Sequence, residues 1–312
     1  MLKTLIQTKL PAYISKKRLI INFISLYFRT LLSAFNSGPE RRTIIFNNNS
    51  FQIPSGVWGE FTKIFKIYFK WIAIKYLLNS TIVRRTMLPN SPKDFENFTQ
   101  HRITISEYFN GTCVPDRINT ILSTVPIVFD GVSKELIENW LWSYFWPFYI
   151  FREHIPRESA INNWPVELGA GTGFFSLAIG SVNKQSRAAV FDLPVILHLS
   201  TVIAETLGRY GVKVPDTYRT NNLDELLFKV RDNKYSVYSF WAFTEFPHLI
   251  RDNSLPLINK AEFTIIASNP MFEGVDNMLY FKSLEKHFPQ KKIFFAPIDW
   301  HPYPGHNYVL IK

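Results

Sequence analysis

Three glycines alternate with small residues in Gly169-Ala170-Gly171-Thr172-Gly173. Glu167 lies two positions before the first glycine, and Asp192 lies 19 positions after the last. Without a Cβ, glycine lets backbone approach a ligand closely. A carboxylate nearby can accept hydrogen bonds from ligand hydroxyls. Together these residues read as a cradle for a nucleotide-like cofactor. They do not make a dinucleotide fingerprint, whose third glycine allows tight packing of helix on strand. Phe174 stands at that position, and its bulk is expected to prop the helix away. A phosphate P-loop needs a Lys-Ser/Thr pair after its glycines, and none follows here.

The elements that must position this cradle can be read on either side of it. A strand "PVEL" ends at Leu168, and an apolar helix is expected from about Gly173 to Val182. The next strand, "AAVFD", ends at Asp192, and Pro194 marks the start of a helix running to about Tyr210. A weak strand is predicted over Val212–Tyr218, then a helix "LDELLFKV" capped by Asn222. Strand "YSVYSF", a short helix ending near Lys260, strand "EFTIIAS" and helix "NMLYFKSLEKHF" follow. The chain closes with "KKIFFAP" and "NYVLIK", which have no helix between them and read as an antiparallel pair. Strands alternating with helices predict an α/β domain with a mostly parallel seven-stranded sheet.

The E-x-G-x-G-x-G pattern at the end of a first strand resembles motif I of class I S-adenosylmethionine-dependent methyltransferases. "VFDLP", "FWAFTEFP" and the ending "HPYPGHNYVLIK" are similar to a bacterial family of sugar O-methyltransferases. This likeness covers roughly Trp164–Lys312, about half of the chain. It implies a Rossmann-like methyltransferase domain with an antiparallel last strand and S-adenosylmethionine as cofactor. It places Glu167, Gly169, Ala170, Gly171 and Gly173 around the amino-acid end of that cofactor. Asp192, with Leu193 beside it, would accept from the ribose hydroxyls, the alternative for Asp192 being a helix-capping carboxylate. Asn221 or Asn222 would contact the adenine, with helix capping as the alternative. Phe240 or Trp241 would cover the adenine face, unless they only pack in the core.

Methylating a hydroxyl needs a base, because a neutral alcohol is a poor nucleophile. In related O-methyltransferases the base lies about eleven residues from the start of the fourth strand. Counting from Tyr235 reaches Glu245, where the family more often carries histidine. Glu245 is therefore open as base, sugar-hydroxyl acceptor, metal ligand or structural ion pair. His248, His301 and His306 are the other candidates, with Asp299 beside them. His248 follows Pro247 and can simply begin a helix. His301 and His306 flank "PYPG", a tight loop able to close over the acceptor. No spacing among these residues demands a metal. The implied acceptor is a sugar hydroxyl of a polysaccharide or glycan-linked substrate. The rivals are a polyketide, phenolic or quinone hydroxyl, or a non-catalytic glycan- or membrane-binding protein on the same fold.

The N-terminal region, 1–155, reads as mainly helical, basic and aromatic-rich, ahead of the cofactor-binding domain at 156–312. Of 312 residues, the first 100 hold 15 Lys+Arg and 4 Asp+Glu, and the remaining 212 hold 20 and 21. The formal net charge of +10 thus belongs to the N-terminal third. That asymmetry suits an anionic membrane surface. No nucleic-acid module is recognisable, and nucleic acid is not an expected partner. A helix over Glu60–Leu78 is apolar around more than half its circumference, with Lys63, Lys66 and Lys70 on one face. It is expected to pack in a domain or homodimer, or to lie on a membrane surface. Arg18–Phe35 reads as a helix or anchor, interrupted by Arg29 and too short to span a bilayer. "FNNNS" at Phe46–Ser50 and "PNSPKDF" at Pro89–Phe95 read as loops. The aromatic run Glu138–Phe151 is expected to be a core helix broken near Pro147, or else a platform for a sugar or adenine ring. The single cysteine, Cys113, reads as a buried, inert thiol and fits a cytoplasmic protein.

Overall fold

The computed structural model describes residues 43–46, 49–52, 98–128, 133–272, 274–301 and 303–312. The expected helices at Arg18–Phe35 and Glu60–Leu78 and the Pro89–Phe95 loop lie outside the described residues. A short hairpin pairs β1 (Thr43–Phe46) with β2 (Asn49–Gln52). Phe46, Asn49 and Ser50 of the "FNNNS" stretch, expected as a loop, thus lie in its strands, because they pair across it.

Among the described residues, helices α1 (Phe98–Tyr108), α2 (Val114–Val128), α3 (Lys134–Ser143) and α4 (Trp146–Ile150) come next. Ser133 caps α3 by accepting from the Leu136 N–H at 3.1 Å. Pro147 sits in the first turn of α4, where its missing N–H costs nothing. This breaks the aromatic run into two short helices, as its sequence suggests. Their rings are core. Trp140 packs on Phe174 at 4.9 Å, Tyr144 on Phe175 at 5.3 Å and Phe148 on Phe263 at 6.1 Å. One hydrophobic core runs from Phe98 to Ile311 across residue 155. Cys113 departs from expectation: it is exposed just before α2.

After α5 (Ser159–Asn162) comes the alternation that carries the site. β3 (Trp164–Leu168) leads to α6 (Phe174–Val182), β4 (Arg187–Phe191) to α7 (Pro194–Arg209), and β5 (Asp216–Thr220) to α8 (Leu223–Val230). β6 (Tyr235–Phe240) is followed by α9 (Ala242–Glu245) and α10 (His248–Lys260). β7 (Thr264–Ser268) precedes a small hairpin of β8 (Met271–Phe272) and β9 (Val275–Asp276). Then come α11 (Asn277–Ser283), β10 (Ile293–Pro297) and β11 (Asn307–Ile311). The expected helix after β9 is split: a 3-10 turn at Leu284–Lys286 follows α11. β5 starts later than predicted. Val212 is used in closing α7, its N–H donating to the Leu207 carbonyl at 3.1 Å, and Pro215 has no N–H to offer.

The seven-stranded sheet has the order β10-β11-β7-β6-β3-β4-β5. All neighbouring pairs are parallel except those made by β11, which runs antiparallel to both β10 and β7. This is the Rossmann-like sheet the resemblance implied. β3 and β7 are buried along their whole lengths, as parallel strands covered on both faces must be. The chain moves outward from β3 to β5, then returns to lay β6 on the other side of β3. A crevice therefore opens at the carboxyl ends of β3 and β6.

Candidate active site

The glycine run crosses the end of β3 at this crevice. Gly169, Gly171 and Gly173 all have positive φ, at 87°, 50° and 76°. Two of them are also places of close approach. A Cβ on Gly169 would lie 2.0 Å from the Ala242 Cβ, and one on Gly173 would lie 2.7 Å from the Ser200 Cβ. Gly171 differs: a Cβ there would meet nothing within 4 Å. The loop is thus pinned at both ends and open in the middle. Phe174 does not act as a prop. Its ring turns to Trp140 of α3, so the helical layer absorbs its bulk.

Asp192, at the end of β4, folds back over the loop. Its Oδ2 accepts from the Ala170 N–H at 2.6 Å and the Gly171 N–H at 3.3 Å, and its Oδ1 accepts from Leu193 at 2.6 Å. Only 8% of the residue is exposed. Burial raises its carboxyl from 3.8 to about 6, against the lowering effect of the three N–H donors. Leu193 is the buried residue before α7. Glu167 lies deeper, enclosed between β3 and α6, and its carboxyl accepts the Ser176 hydroxyl. Burial pushes it well above the carboxylate range; the Ser176 bond opposes this, and the nearby Asp192 charge adds to it. Through Ser176 it ties the end of β3 to the first turn of α6.

Asn222 is a helix cap: its Oδ1 accepts from Asp224 at 3.0 Å and Glu225 at 3.3 Å. Asn221 stands in the same turn after β5, at the carboxyl edge of the sheet. Phe240 ends β6, with Tyr144 at 5.0 Å and Phe175 at 4.8 Å. Trp241 takes φ 65° and ψ −34°, a region a bulky residue enters only under constraint. Its ring leans toward the β10–β11 loop, 5.6 Å from His301, and its indole Nε1–H donates to the His306 Nδ1 at 2.9 Å. Ala242 and Phe246 are the residues of this turn that reach Gly169. The sequence reading missed both, because nothing local marks a residue that touches a loop 70 positions away.

Glu245 ends α9 between two anchored carbonyls. Arg251, only 1% exposed, donates to the Thr244 and Phe246 carbonyls and to the Asn277 Oδ1 at 2.8 Å. Asn277 in turn donates to the Asn269 Oδ1 at 2.7 Å. This buried chain ties the turn after β6 to the loop after β7, and the sequence reading missed it too. His248 stands apart, exposed on α10 with its ring 5.7 Å from Tyr280. In the loop between β10 and β11, His301 and His306 stack at 3.8 Å. Asp299 of the same loop pairs with His101 of α1 at 3.0 Å. Among the described residues no three His, Cys, Asp or Glu side chains are grouped to hold a metal ion. Nor is any described helix long and apolar enough to cross a membrane.

No family model matches the chain, and no curated protein matches it. Solved structures do resemble it. The magnesium protoporphyrin IX methyltransferase of Synechocystis PCC 6803, with bound SAM, is 15% identical at a TM-score of 0.41, over 67% of this chain and 95% of its own. The methyltransferase domain of bacterial CtHen1 is 8% identical at 0.39, over 55% and 97%. The bifunctional kinase-methyltransferase WbdD is 15% identical at 0.37, over 48% and 34%. Similarity at this level identifies neither substrate nor reaction.

Proposed function

We propose that this chain is an S-adenosylmethionine-dependent O-methyltransferase whose acceptor is a sugar hydroxyl of a polysaccharide or glycan-linked substrate. One observation carries the reading: a glycine loop with a buried carboxylate docked on its amides, at the switch point of a seven-stranded sheet. The residues fit the cofactor. The cradle is open where Gly171 faces it, and a Cβ there would intrude on a ligand. When bound, the cofactor supplies an electrophilic methyl group. Gly169, Ala170, Gly171 and Gly173 would hold its amino-acid end, with Glu167 bracing them. Asp192 and Leu193 would meet the ribose. Asn221 and Asn222 would line the adenine side, with Phe240 at its edge.

On the acceptor side, Glu245 takes the hydroxyl proton. Arg251 fixes the carbonyls on either side of it, so the carboxylate stands on a rigid turn. His306 contributes from the opposite wall, and His248 at the outer rim. The basic residues 1–100 would hold the protein at an anionic membrane surface or join two copies.

The test is transfer of a labelled methyl group from S-adenosylmethionine to sugar, phenolic and quinol acceptors. The proposal expects label on a sugar, in a linkage stable to alkali as an ether is. Transfer to phenols alone would refute the acceptor class. Glu245→Ala should lower kcat at least about 100-fold, the low end of general-base contributions, while cofactor affinity stays as in the wild type.

A further inference from the structure

The bond from Trp241 to His306 constrains chemistry, not only position. An indole N–H can only donate. The His306 Nδ1 that faces it must therefore present its lone pair. A neutral imidazole has one such lone pair, so the remaining proton is on Nε2. Protonating Nδ1 would set two N–H groups against each other at 2.9 Å. His301 stacks on the same ring at 3.8 Å, and a second positive charge there is disfavoured. Asp299, of the same loop, pairs with His101 of α1 at 3.0 Å.

The backbone at Trp241 supports a dedicated role. Its φ of 65° is one of two positive values among described non-glycine residues. The Trp241 N–H donates to the Ala267 carbonyl at 2.8 Å, which holds this conformation against the next strand. Strain kept at the end of a central strand is typical of sites that need one fixed side-chain direction. The ring so aimed reaches His306, 65 residues away.

We infer that Trp241 is a positioning residue that locks His306 as a neutral imidazole protonated at Nε2, so that His306 offers the acceptor a hydrogen-bond donor and not a base. This rests on the proposed acceptor site. It assigns proton removal away from His306 and leaves that task to Glu245. The Nε2–H makes no hydrogen bond among the described residues. The group it would recognise is an oxygen of the acceptor, such as a ring, glycosidic or hydroxyl oxygen next to the one methylated. Burial, with a smaller effect of His301, holds the His306 pKa down to about 4, in the direction this geometry requires.

The test is nitrogen NMR on the full chain labelled at its seven histidines, with His306 assigned by loss of its signals in His306→Gln. The expected result is an Nε2–H tautomer that does not titrate between about pH 5 and about pH 8. An Nδ1–H tautomer, or ordinary titration near pH 6.5, overturns the inference. Trp241→Phe keeps a ring and removes the donor; burial still disfavours the charged form, so the expected change is in the tautomer, with Nδ1–H becoming populated. An unchanged His306 in Trp241→Phe would also overturn it. These readouts need no turnover, so they are independent of whether the proposed reaction is correct. Where activity is measurable, His306→Gln, which keeps an N–H at the Nε2 position, should retain at least about tenfold more kcat/KM than His306→Ala. Equal losses in both would refute the donor role.

Discussion

Asp192→Asn separates what the carboxylate costs the fold from what it does for a ligand. The folded protein raises Asp192 from 3.8 to about 6, chiefly by burial. A raised carboxyl pKa means that the native state holds the proton more tightly than the unfolded chain. The stabilisation this gives is complete below 3.8 and is lost as pH rises through about 6. About two pKa units at 1.36 kcal/mol each amount to roughly 3 kcal/mol. Asparagine does not titrate. Its Oδ1 can still accept from the loop, but its amide N–H2 opposes one of the three donors, a cost that does not depend on pH. The assay is urea unfolding of both proteins without ligand at matched pH values. The wild type should lose roughly 2.5 kcal/mol relative to Asp192→Asn between about pH 4 and about pH 8, the remainder being lost below about pH 4. Part of that change passes through Glu167, whose carboxyl the Asp192 charge pushes up. A difference flat to within about 0.5 kcal/mol over this range would refute the picture of a buried, strained carboxylate. With S-adenosylhomocysteine present the advantage should reverse at pH 8, because the ionised form is the one that accepts from ribose hydroxyls.

Other perturbations probe the loop and the wall. Gly171→Ala should fold, losing only about 1–2 kcal/mol to its left-handed φ, yet bind S-adenosylhomocysteine much more weakly, as calorimetry would show. Gly169→Ala should be far more damaging to thermal stability, since its Cβ would meet Ala242 at 2.0 Å. Arg251→Met leaves three buried oxygens without their donor, and at about 1–3 kcal/mol each should cost at least about 3 kcal/mol in urea. A loss below about 1 kcal/mol would show that the turn around Glu245 does not depend on it.

The sequence announces whatever follows a local rule. The strand–glycine–helix unit, the Asp192 position and the strand alternation are visible because period, caps and glycine spacing act over a few residues. The limits of β5 are not, because Val212 is drawn into the end of α7. Phe174 is misread for the same kind of reason: its ring finds space against Trp140, 34 positions earlier, where a strand-side clash is expected. Arg251 is the clearest case. Nothing local in the sequence marks it, yet it is among the most buried side chains described, because two carbonyls of the turn after β6 and the Asn277 side chain at the start of α11 converge on it. Likewise, Trp241 is legible as a ring near a cofactor. Its positive φ and its bond to His306, 65 residues away, have no local sequence signal.

The central claim is that the loop at Gly169–Gly173 with Asp192 binds S-adenosylmethionine. Isothermal titration of the full chain with S-adenosylhomocysteine tests it most directly. The account predicts saturable binding at one site per chain, lost or severely weakened in Asp192→Ala. Wild-type protein that is folded by circular dichroism and takes up no S-adenosylhomocysteine would contradict it.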